Sequence, residues 1–202
     1  MHLRLAIAGN SIPPMETHGR WPLVAAAASA PVTAAAVKRP ALRPFAALLL
    51  HQTEEWFWPG SFLPWMNQTV LGSDDPEFPI DRRTAFVINV VLGWSGSFAA
   101  ARPDIAAAPA TALYVSHFGN AALHVSWAAS KRKYDPGVVT AVLTLLPVSI
   151  VGLRQMRNDP DVSSRAMRIG SVAGAALGAG LMPTLNLRLR SRSRNRLRAA
   201  KD

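Results

Sequence analysis

Apolar residues in this chain fall into long runs rather than alternating with polar ones. The runs cover residues 21–37, 42–58, 84–101, 105–130, 137–153 and 169–187. Each approaches the about 20 apolar residues that a bilayer-spanning helix needs, and none shows the period of two expected of a half-buried strand. The pattern predicts an all-α polytopic transmembrane bundle of six spans. The number falls to five if 21–37 does not cross, because that run draws its apolarity from alanine and contains Pro22 and Pro31. A secretory signal is its rival reading, disfavoured by the lack of a basic cluster before it. The breaks between runs carry turn formers and charge: Pro59-Gly60, Arg102-Pro103-Asp104, and Lys131-Arg132-Lys133 before Pro136-Gly137.

Composition sharpens this picture. Hydrophobic types make up 50% of the 202 residues and charged ones 17%, below the roughly 25% of an ordinary soluble domain. The absence of cysteine excludes disulfides and thiolate metal ligands, leaving histidine and carboxylates. The formal charge of +10 would suggest nucleic acid if it were spread evenly. Instead, seven basic residues crowd after Leu187, from Arg188 to Lys201. With six crossings, 14 of the 22 Lys and Arg residues fall on the side of the termini, which predicts a multi-pass plasma-membrane protein with a cytoplasmic C-terminus. The expected organisation is an N-terminal tail (1–20), a membrane-embedded domain (21–187) and a basic tail (188–202) resting on anionic lipid headgroups. Nucleic acid is disfavoured as a partner, since the tail lacks aromatics for base stacking and no phosphate-binding glycine loop occurs.

Several polar residues contradict the hydropathy around them. His51, Glu54 and Glu55 stand at i, i+3 and i+4, and His117, Asn120 and His124 at i, i+3 and i+7, so each set shares a helical face. An ionisable group deep in a bilayer costs roughly 2.5–3.5 kcal/mol even on the lenient insertion scale. Two such faces therefore predict one shared site. Imidazole nitrogen with carboxylate oxygen suits zinc or iron. His51, Glu54, Glu55 and His124 are the expected ligands, Asn120 and Asn89 their outer supports, and His117 a helper. In an enzyme, Glu54 or Glu55 would serve as general base toward water, in hydrolysis or oxidation of a lipid-phase substrate. The alternatives are a proton- or ion-coupled transporter and a structural membrane protein whose polar cluster only glues helices. Gly170, Gly174 and Gly178 offer a close-approach face for another helix, in the monomer or in a homo-oligomer.

His51-Gln52-Thr53-Glu54-Glu55, Pro59-Gly60-Ser61-Phe62 with Asn67, Ile88-Asn89-Val90, Asn120 with His124, and Tyr134-Asp135-Pro136-Gly137 with Thr140-Ala141 follow in order along the chain. Together they resemble the HXXEE-domain family of bacterial integral membrane proteins, over about residues 40–152. The resemblance implies a membrane fold and candidate site positions but no substrate, because the family has no established reaction. Trp56 stands where members often carry another histidine, which removes one ligand and weakens a dinuclear centre. Asp135 stands where asparagine is frequent.

Overall fold

The computed structural model describes residues 20–199, with side-chain surroundings except at 103–105, 178–183 and 193–199. Nearly all of the expected N-terminal tail (1–20), and residues 200–202 of the basic tail, lie outside the described residues. Those described are helical, with no strand among them. We label the helices α1 (Trp21–Lys38), α2 (Arg43–Trp56), α3 (62–70), α4 (82–100), α5 (Pro103–Lys131), α6 (Val138–Asn158) and α7 (Ser164–Ala199). Parts of α3, α4 and α6 widen into π-helical turns, at Trp65–Val70, Val87–Trp94 and Ala141–Leu145.

Local sequence explains most of the boundaries. Proline at the first turn of α2 and α5 costs no hydrogen bond there. Asp81 caps α4 by accepting from the Thr84 amide at 2.7 Å. Gly137, at φ +110°, forms the left-handed corner that opens α6.

Successive long helices run in opposite directions. Trp21 meets Trp56 at 5.1 Å between ring centroids, and Trp65 meets Trp127 at 6.0 Å. These four tryptophans therefore gather at one end of the bundle, while Phe45 and Phe98 pair toward the other. Leu185, on α7, is buried with Trp56, Leu63 and Met66 at the tryptophan end. Gly170 and Gly174 press α7 onto α5: a Cβ at either would collide with the Ala108 or Ala112 carbonyl. Part of the glycine face is thus used within the chain.

The six-span bundle expected from the sequence is not supported. Among the described residues, only Val138–Asn158 is long and apolar enough to cross a membrane, so multi-pass placement in the plasma membrane is unsupported as well. The reasons are physical. α2 has 14 residues, about 21 Å of helix against a hydrocarbon core of about 30 Å, and it buries His51, Gln52, Glu54 and Glu55 in its second half. Alanine, a weak apolar residue, dominates α1. Asn89 and Ser95-Gly96-Ser97 dilute α4, and His117, Asn120 and His124 dilute α5. α7 turns arginine-rich within the same helix. It does not leave the bundle as a free tail at residue 188: Arg192 donates to Asp75 at 2.7 Å, and Arg188 and Arg192 both lie over the Phe78 ring.

Candidate metal centre

His51 and Glu55 lie one turn apart on α2, and α5 brings His124 to them from across the bundle. His51 Nε2 and His124 Nε2 each stand 3.3 Å from Glu55 Oε1. The three ligand atoms lie within 4.8 Å of one another. The two imidazoles meet edge to face at 4.9 Å. Exposure is 1% at His51, 4% at Glu55 and 0% at His124. Gly137 closes this group from the side of α6. A Cβ there would come within 2.8 Å of His51 Cε1 and 2.9 Å of both Glu55 Cγ and His124 Cε1.

Outer groups orient both rings. His124 Nδ1 donates to Asp135 Oδ1 at 2.8 Å. Asn120 donates to His51 Nε2 at 3.0 Å, which puts the ring proton on Nδ1, facing Thr140 Oγ1 at 3.1 Å. The Thr140 hydroxyl in turn donates to Glu54 Oε2. Each histidine therefore has its Nδ1 proton tied toward a carboxylate, one directly and one through a hydroxyl, with both Nε2 atoms turned toward Glu55 Oε1. Trp56 Nε1 fixes the other Glu55 oxygen at 3.1 Å. Phe62 and Trp127 flank the His124 ring at 5.7 and 5.8 Å.

The remaining residues singled out by the sequence lie elsewhere. Glu54 is outside the group of three. Its carboxylate accepts from the Val139 and Thr140 amides at 3.2 and 2.7 Å and from the Tyr134 hydroxyl, so it caps the N-terminus of α6. Asn89 supports Gln52 rather than a ligand: its Oδ1 and backbone oxygen accept from Gln52 Nε2 at 3.3 and 3.0 Å. His117 is buried and also outside the group. Sequence reasoning assigned no role to Asp135, Gly137 and Thr140. The signal was there in the Tyr134-Asp135-Pro136-Gly137 motif, which reads as an ordinary turn until the fold brings it against α2.

Burial raises the cost of every charge here. It opposes protonation of His124, yet the hydrogen bonds His124 donates to Asp135 and Glu55 outweigh it and lift that pKa to about 9. Burial likewise pushes Glu55 up, but the charges and hydrogen bonds of His51 and His124 prevail and hold it low. Asp135 is raised, with burial and the nearby Glu55 charge against it. For Glu54, burial is outweighed by the hydrogen bonds from Thr140, Tyr134 and Val139, and its pKa falls.

This environment yields a first prediction. Glu54→Gln turns an amide N–H₂ toward backbone donors and should destabilise the metal-free protein by about 1–3 kcal/mol, the cost of unmatched buried groups. Thermal unfolding measures the loss. An unchanged melting temperature would show that Glu54 does not hold α6 against α2.

His124 Nε2 is met by Glu55 Oε1 at 3.3 Å, while Asp135 Oδ2 is buried with no hydrogen-bond partner. Polar atoms so deeply buried are ordinarily satisfied, so the cluster keeps acceptor capacity that fits a bound cation. Ligands about 2.0–2.1 Å from a tetrahedral zinc ion stand about 3.3–3.4 Å apart, the spacing of both histidines from Glu55. The group His51, Glu55 and His124 could hold a metal ion.

No curated protein and no solved structure matches the chain. The family model described as "Protein of unknown function with HXXEE motif" matches residues 44–152, more than half of the chain. That span holds His51, Glu54 and Glu55, which spell the motif, together with the His124, Asp135 and Thr140 that α5 and α6 bring against it, and on this evidence the chain belongs to the HXXEE family.

Proposed function

We propose that this protein is a mononuclear divalent-metal protein, with His51 Nε2, Glu55 and His124 Nε2 as its ligands and zinc or iron as the ion. The observation that carries the reading is the convergence of three buried donors, His51 Nε2, Glu55 and His124 Nε2, with both imidazole nitrogens 3.3 Å from Glu55 Oε1. Three protein ligands are the number found in catalytic rather than structural zinc sites, where a fourth position is kept for water or substrate. Such an ion supplies Lewis acidity and lowers the pKa of bound water. The chain supplies the rest. Asn120 Nδ2, which donates to His51 Nε2 at 3.0 Å, would have to release that nitrogen for it to serve as a ligand. Asp135 and the pair Thr140–Glu54 keep both imidazoles in the tautomer that coordinates. His124 would have to give up its Nε2 proton to serve as a ligand, so metal uptake would release protons. Hydrolysis or oxidation is the reaction class to test.

Cobalt(II) titration checks the ligand set directly. The parent should bind one equivalent and show the intense visible bands of a four-coordinate ion, which Glu55→Gln should lose. Asp135→Asn keeps the shape but weakens the hold on His124, so its affinity should fall about 10–100-fold. A full affinity in Asp135→Asn, or identical spectra in Glu55→Gln and parent, would overturn this assignment.

A further inference from the structure

The His51–Glu55–His124 group sits at one end of the bundle, and that end has an unusual surface. Five of the six tryptophans belong to it by contact or by chain position: Trp21, Trp56, Trp65 and Trp127 in one ring cluster, and Trp58 just beyond Glu55. Phe57, Trp58 and Tyr134 are 50%, 76% and 49% exposed. Beside Tyr134 the exposed Lys131-Arg132-Lys133 triplet adds three positive charges. Immediately after it α6 begins, with Val139, Val142 and Leu143 exposed at its start. The sixth tryptophan, Trp94, is separate from that ring cluster: it packs edge-on to Phe45 and donates to Gln52 Oε1 at 3.1 Å.

Amphipathic aromatics belong at the boundary between headgroups and hydrocarbon, and basic clusters are drawn to anionic lipid. Exposed apolar residues on the one helix of membrane-crossing length among the described residues suit a hydrocarbon solvent. These three features succeed one another along residues 127–143 in the order that a path from headgroup layer to hydrocarbon requires. We propose that the tryptophan end of this protein, including the His51–Glu55–His124 site, is seated in the headgroup layer of an anionic phospholipid bilayer, with α6 leading from it into the hydrocarbon. The charge sign selects the partner: an acidic surface complements the Lys131–Lys133 triplet. A ligand reaching the cluster from that layer would be an amphiphile presenting its polar head. The seating follows from the surface and not from the metal, so a failed metal titration leaves it standing.

Quenching of tryptophan emission by brominated lipids tests it. Full-length Trp94→Phe protein, which retains the five tryptophans of the site end, is reconstituted into mixed phosphatidylcholine and phosphatidylglycerol vesicles, with bromine near the headgroup or near the chain terminus. The shallow bromines should quench more strongly than the deep ones. Brominated phosphatidylglycerol diluted into phosphatidylcholine should quench more than the reverse mixture, and changing Lys131, Arg132 and Lys133 to glutamine should erase that preference. Stronger quenching by the deep bromines would place the site inside the hydrocarbon and overturn the proposal. So would protein that fails to float with vesicles, or that floats unquenched because a second copy covers these residues.

Discussion

Gly137→Ala should unfold this protein at a markedly lower temperature than any surface substitution. Two costs combine at one atom. The backbone at Gly137 has φ +110°, where an L side chain carries about 1–3 kcal/mol of strain. The added methyl would also lie 2.8–2.9 Å from three atoms of the cluster, one each on His51, Glu55 and His124, and overpacking of this kind costs typically about 1–3 kcal/mol. None of the three is the loose end of a flexible chain: hydrogen bonds to Thr140, Asp135 and Trp56 hold them. Together the costs amount to about 2–6 kcal/mol, or roughly 5–20 °C in melting temperature for a chain of this size. Metal affinity should fall as well, because relief comes only by spreading the ligands. Thermal unfolding with and without zinc reads both effects. A variant melting with the parent would mean that the corner does not close on the cluster as described.

Glu55→Gln should separate metal binding from folding. In the parent, zinc at a hundred times its dissociation constant adds about 2.7 kcal/mol by linkage, a rise of roughly 5–10 °C. An amide is a poor ligand, and the variant should show no such rise. Glu54→Gln makes the contrast. It should lower the starting temperature yet keep the zinc increment, since Glu54 faces α6 and not the cluster. An equal zinc increment in all three proteins would place the ion elsewhere.

Much of the site was legible in the sequence, because an ionisable residue in an apolar run announces itself. His51, Glu55 and His124 stood out on cost alone, and helical spacing put each set on one face. Spacing could not separate Glu54 from Glu55. Both are on the same turn, and the choice between them is made by α6, whose amides claim Glu54. Asp135 and Thr140 were hidden for a different reason: they lie in or next to a polar turn, where such residues have no cost to explain. Helicity followed from the long runs. Six crossings did not, because apolar run length counts alanine and ignores whether a helix spends its second half, as α2 does, on buried polar groups.

The most direct test of the account is the metal content of the purified full-length protein after equilibration with zinc and removal of excess, measured beside His124→Ala and Glu55→Gln proteins whose helical content is shown to be unchanged. The account predicts one zinc per chain in the parent and none in either variant. No zinc in the parent, or one equivalent in all three, would contradict it.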